Sequence, residues 1–171
     1  MSIRYVFFCA LTLFSVAGAP MALAAEKDLL EYGETYAGEI SVVGEIDTHT
    51  FVCQAGDIFL VRLAETSSAL EPSILVTGPP GQAFSHTGNA LAEILTEPLN
   101  QNFTCTIQVS DSGNDDTGAY SLHIQRINNP AGAASLAYGA TVSGTVASAA
   151  QTVAYTLAGN AGDQVILRMA E

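Results

Sequence analysis

Asp47-Thr48-His49-Thr50-Phe51-Val52-Cys53-Gln54-Ala55-Gly56-Asp57-Ile58-Phe59-Leu60-Val61-Arg62-Leu63 reads as a strand, a tight turn and a second strand. Phe51 and Cys53 fall on one side of the first strand. Phe59, Val61 and Leu63 share a face of the second, with Arg62 pointing the other way. Ala55-Gly56-Asp57 is the turn, with the glycine supplying backbone freedom. Alternation with period two and one buried face is the pattern of an antiparallel sheet.

The chain writes this pattern twice. A shift of 106 positions carries Ala55-Gly56-Asp57 onto Ala161-Gly162-Asp163, Arg62 onto Arg168, and Ala64-Glu65 onto Ala170-Glu171. It also carries Tyr32-Gly33 onto Tyr138-Gly139 and Gly38 onto Gly144. Phe59, Val61 and Leu63 become Val165, Leu167 and Met169, apolar for apolar, whereas Ile58 becomes Gln164. The reading is a tandem repeat: a signal peptide over 1–25, a β-sandwich over 26–131, and the first strands of a second, incomplete unit over 132–171.

Working outward, Glu34 to Val43 and Ser73 to Thr77 read as strands, and Leu91 to Leu95 as a strand or a short helix. Gly78-Pro79-Pro80-Gly81 is a strong turn signal, and Gln82 to Ala90 reads as an exposed connection. Phe103, Cys105, Ile107 and Val109 alternate inward, as do Tyr120, Leu122 and Ile124. These last two strands read as a β-hairpin with a long loop over 111–118. Short strands with turn signals about every ten residues predict an all-β, antiparallel two-sheet sandwich of jelly-roll type.

Of the 171 residues, 49% are hydrophobic and 13% charged. Arg4, the apolar run Val6 to Val16 and the small residues Ala22-Leu23-Ala24-Ala25 have the layout of a secretory signal peptide, cleaved after Ala24 or Ala25. The apolar run is shorter than the roughly 20 residues a spanning helix needs, so no membrane insertion is expected after cleavage. The product would be secreted, on the cell surface or periplasmic. The formal net charge is −12, and removing Arg4 makes it one unit more negative. Nucleic-acid binding needs a basic surface, so that class is excluded. An acidic surface suits an exported protein.

Cys9 leaves with the signal peptide, and Cys53 and Cys105 remain, each in phase with core residues. They are either a disulfide between two strands or two buried thiols, and export favours the bridge. It would close a loop of about 50 residues and contribute about 2–4 kcal/mol. Asp111, Asn114, Asp115 and Asp116 gather hard oxygen ligands of the kind calcium takes. The same residues build ordinary exposed loops, so both readings stay open. His49, His86 and His123 sit at positions that do not converge, His123 on an outward face. Nothing resembles H-E-x-x-H or G-x-S-x-G, and no catalytic residue is assigned.

Tyr32-Gly33, Gly38, Asp47-x-His49-x-Phe51, Ala55-Gly56-Asp57, Glu71-Pro72-Ser73-Ile74-Leu75-Val76, Gly81 and Thr117-Gly118-Ala119-Tyr120-Ser121-Leu122 occur in that order. On these motifs, spanning roughly 29–127, the chain resembles the bacterial pre-peptidase C-terminal domain. That family is a β-sandwich appended to secreted peptidases and surface proteins, similar in class to the collagen-binding domains of secreted collagenases. The chain departs from it at His49, where the family usually has an aromatic residue. The resemblance implies a non-catalytic module for adhesion, substrate targeting or spacing, with an extracellular protein or polysaccharide as partner. Two alternatives are the leading part of a secreted hydrolase and a purely structural tandem array.

Overall fold

In the computed structural model, which describes residues 29–67 and 69–170, alternation has produced strands wherever a partner is at hand. They are β1 (Thr35–Ile40), β2 (Ile46–Cys53), β3 (Phe59–Glu65), β4 (Pro72–Thr77), β5 (Ala83–Thr87), β6 (Leu91–Leu95), β7 (Phe103–Asp111), β8 (Gly118–Arg126), β9 (Ala134–Leu136) and β10 (Tyr155–Leu157). The first eight make two antiparallel four-stranded sheets, ordered β1-β8-β3-β6 and β2-β7-β4-β5. The short β9 and β10 pair in parallel. The signal peptide expected over 1–25 lies outside the described residues.

Each sheet contributes its apolar phase to one core. Phe59, Val61, Leu63, Leu122 and Ile124 come from the first sheet; Phe51, Ile74, Val76, Ile107 and Val109 come from the second. All ten are buried to within 1%. The Phe51 and Phe59 rings meet edge to face across the interface, 4.9 Å between centroids, the arrangement their quadrupoles favour.

The chain crosses between sheets at nearly every connection. The 55–57 turn carries β2 of one sheet to β3 of the other. Only β4 and β5, consecutive in sequence, are hydrogen-bonded neighbours among the eight. This corrects two expectations. β7 and β8 do not form a hairpin: β7 lies between β2 and β4, and β8 between β1 and β3. Their alternation is legible in the sequence, but alternation gives the face and not the neighbour. Residues 83–87 form the edge strand β5 rather than a loop; their polar side chains fit an edge exposed to solvent. Leu91–Leu95 is a strand, with Ala92 and Ile94 turned inward.

Cys53 and Cys105 form a disulfide with 6.3 Å between α-carbons. It joins neighbouring strands of one sheet diagonally, since Cys53 is opposite Phe103 and Cys105 opposite Phe51. The bridge therefore staples the β2–β7 register, and both cysteines are fully buried.

The 132–170 region differs from the expected second set of strands. Val165, Leu167 and Met169 are 45%, 74% and 100% exposed, and 164–170 form no strand. Among the described residues of this region only Ala150 is fully buried, and it rests on the first sheet.

Candidate functional site

Period-two phase places Asp47 and His49 on the same side of β2 as Phe51 and Cys53, so two polar side chains enter the core. Asp47 is 3% exposed and His49 1%. β8 delivers Tyr120, 1% exposed, to meet them from the opposite sheet. Its phenol donates to Asp47 Oδ2 at 2.6 Å and lies 3.0 Å from His49 Nε2. With its single proton given to Asp47, the phenol accepts from a protonated Nε2. Burial first, and then the hydrogen bond to Asp47, push the Tyr120 pKa far above its ordinary value. The Tyr36 ring packs edge-on against His49, 4.7 Å between centroids.

This cluster has a steric condition. Gly38 is opposite Tyr120 in the β1–β8 register, and the Tyr120 ring lies where a β-carbon on residue 38 would be. Only glycine lets the ring lie across β1 and reach β2, a close approach of the kind that strand glycines serve.

Acid, phenol and imidazole in a row could move a proton, but all three are sealed between the sheets. A cleft of about 390 Å³ lies elsewhere, lined by Leu30, Tyr32, Val52, Gln54 and Arg126 among others. At its wall the Arg126 guanidinium stacks on the Tyr32 ring at 4.6 Å and pairs with Asp57 at 3.4 Å. Asp57 also accepts from the Gln54 N–H, closing the 54–57 turn. Burial and then Asp57 raise the Tyr32 pKa.

A second polar row crosses the outer face of the first sheet. Thr35, His123, Arg62 and Glu93 stand directly opposite one another on β1, β8, β3 and β6. Arg62 pairs with Glu93 at 3.0 Å. His123 lies on an outward face, as its phase predicts, but that face is covered. Residues 148–152 lie over it, and His123 is 0% exposed. His86 stays at the surface, where its Nδ1 accepts from the Glu93 N–H. The three histidines do not converge.

The loop with the calcium-type ligands is organised by Asp111. Its Oδ1 accepts from the Glu71 N–H, and its Oδ2 accepts from Gly113, Asp115 and Asp116. Burial alone would raise this carboxyl; the four backbone donors outweigh it and hold the pKa below the ordinary value. Asn114 takes a left-handed backbone, φ 54°, and the residues 112–116 are exposed. Asp111 is thereby engaged as a loop cap. Among the described residues, no three His, Cys, Asp or Glu side chains are grouped to hold a metal ion.

Sequence reasoning missed the core cluster of Asp47, His49 and Tyr120. The signal was present: Asp47-x-His49-x-Phe51-x-Cys53 keeps one phase, and polar residues continuing an inward phase point to a buried network. It missed the covering of His123, which depends on a segment 25 or more residues away.

No family model and no curated protein matches the chain. Solved structures do. The pre-peptidase C-terminal domain of a collagenase from Bacillus anthracis is 14% identical, with a TM-score of 0.46 over 58% of this chain and 95% of that one. PliG of Aeromonas hydrophila, a periplasmic inhibitor of g-type lysozyme, is 14% identical, with a TM-score of 0.46 over 59% and 96%. PliG of Salmonella Typhimurium is 19% identical, with a TM-score of 0.42 over 60% and 100%.

Proposed function

We propose that the chain is a non-catalytic β-sandwich module of an exported protein, serving adhesion, substrate targeting or spacing between domains. The observation that carries this reading is the open outer face of the β2-β7-β4-β5 sheet. Val52, Thr104, Leu75 and Thr77 are exposed there, and Thr106 and Gln108 half-exposed. The register sets Thr106 beside Thr77 and Gln108 beside Leu75. A row of exposed hydroxyls with isolated apolar side chains suits an extended extracellular polymer, either polysaccharide or protein. The acid, phenol and imidazole that could do chemistry are enclosed, and the disulfide fits an oxidising compartment.

Co-sedimentation of the mature chain with insoluble polysaccharides and with fibrous extracellular protein tests this. Retention is expected, with loss in Thr106→Lys and Leu75→Asp. Failure to sediment with any such polymer would leave spacing as the role. Spacing in a tandem array has its own support. Tyr138 donates to Asp163 Oδ2 at 3.0 Å, and Asp163 accepts from the Asn160 N–H. The shift of 106 positions maps Gln54, Asp57 and Tyr32 onto Asn160, Asp163 and Tyr138.

Calcium at the 111–116 loop would fall to the exposed Asn114, Asp115 and Asp116, since Asp111 holds four backbone donors. Calcium and chelator are accordingly expected to leave Tm unchanged. A rise with calcium would reassign the loop as a metal site.

A further inference from the structure

We propose that residues 148–152 are an acid-releasable strap over the β1-β8-β3-β6 sheet, with His123 as its latch. The strap makes polar contacts at three places. Ser148 Oγ meets Ser121 Oγ, Thr152 Oγ1 meets His123 Nε2 at 2.7 Å, and Arg62 donates to the Ala150 and Gln151 carbonyls at 3.2 and 3.3 Å. Between them the Ala150 methyl is fully buried. Apolar anchorage is therefore a single fully buried methyl group, and docking depends on the polar contacts beneath it.

His123 is held on both sides. Its Nδ1 is 2.9 Å from Thr35 Oγ1 while Nε2 faces the strap. A neutral ring satisfies this geometry with one donor and one acceptor, because each hydroxyl can turn to complement it. Protonation loses no hydrogen bond, since both hydroxyls can accept. Its cost is a second cation enclosed beside a first. The groups facing the ring are Thr35 of β1 and the backbone of Glu34 just before it, Arg62 from β3 and Thr152 from the strap; Glu93 of β6 lies beyond, already paired with Arg62. Burial first, and then Arg62, lower the His123 pKa against the Glu34 backbone contact that raises it. A histidine whose pKa is lowered by docking favours docking while it is neutral. Docking is thus complete above the ordinary value of 6.5 and weakens as pH falls toward the lowered one. Lifting the strap returns the imidazolium to water and uncovers Ser121, His123 and Arg62 as one polar face.

The test uses the full mature chain, with the Ala150 methyl followed by NMR in the presence of a soluble paramagnetic relaxation agent. At about pH 7.5 the methyl should be shielded, and at about pH 5 its relaxation enhancement should rise several-fold, tracking the titration of the His123 ring. Core methyls of Ile107 and Val109 should stay shielded throughout. His123→Gln, which keeps a donor and an acceptor, should stay closed at both values, and Thr152→Val should be open at both. An Ala150 methyl that remains shielded while His123 titrates overturns the proposal. So does acid opening in His123→Gln, or loss of core shielding at the same pH as strap release. If His123→Gln does not fold, the wild-type comparison of ring titration with Ala150 exposure decides alone.

Discussion

Residues 55–63 and 161–169 carry the same turn and the same alternation, yet only one of them builds a sheet. In the first, Gly56 has φ +86° and Asp57 caps the Gln54 N–H; in the second, Gly162 has φ +93° and Asp163 caps the Asn160 N–H. The turns agree because they are local: a glycine in the left-handed region and a carboxylate within reach suffice. The segments beyond the turns differ. Val61 lies between β6 and β8 and is 0% exposed, whereas its counterpart Leu167 is 74% exposed and pairs with no strand among the described residues. Local chemistry repeats a turn; a strand needs at least one neighbouring strand to pair with, and a buried face needs a second sheet to cover it.

The widest separation of the two regions should come from placing a charge in equivalent positions. Val61→Asp buries a carboxylate between the sheets and is expected to cost about 3–5 kcal/mol or to prevent folding. Leu167→Asp should leave the urea unfolding curve unchanged. Equal sensitivity would show that 164–170 are buried in solution and would remove the contrast.

Next in size is the disulfide, which has no counterpart because Cys53 maps to Gly159. Replacing Cys53 and Cys105 together by Ala should lower the unfolding free energy by about 2–4 kcal/mol, read from denaturant curves of the oxidised and mutant chains. A smaller contrast comes from the glycines. Gly38→Ala drives a β-carbon into the Tyr120 ring and should cost about 1–3 kcal/mol. Gly144→Ala presses only on the Tyr155 hydroxyl, at the end of an exposed side chain that can move, with ordinary contacts to Val153 otherwise, and should be near neutral by the same measurement.

The smallest effect is a pH dependence centred on the 111–116 loop of the sandwich. Asp111 titrates below its ordinary value when folded, so it contributes stability that is present above about pH 4 and lost as pH falls through the folded pKa. Asp111→Asn should be less stable than the wild type at neutral pH, by about 1 kcal/mol, and should lose less on acidification. Unfolding curves at both pH values check the sign; parallel losses would show that Asp111 is not the titrating group.

Much of this fold is legible in the sequence because it concerns single strands. The inward phase of Phe59-x-Val61-x-Leu63 and of Cys105-x-Ile107-x-Val109 needs nothing but alternation, and both sets are buried. Inward phase and the expected export signal together favour a Cys53–Cys105 bridge over two buried thiols, and the structure forms the bridge. The false hairpin of β7 and β8 shows the limit. Both strands are identifiable, yet neighbours in sequence stand in different sheets, joined across the sandwich by the loop that Asp111 caps, because alternation carries no information on which strand is the partner.

Most strands of the sandwich, their inward faces and the turns are readable from the chain, since each rests on contacts within a few residues; the polar edge strand β5 is the exception. Tertiary structure alone decided which strands are neighbours, that Tyr120 crosses Gly38 to join Asp47 and His49, and that His123 is covered by Thr152. The last two outcomes depend on residues 29 to 82 positions apart in the chain. Such contacts form only when two complete sheets close on each other, and no local preference encodes them.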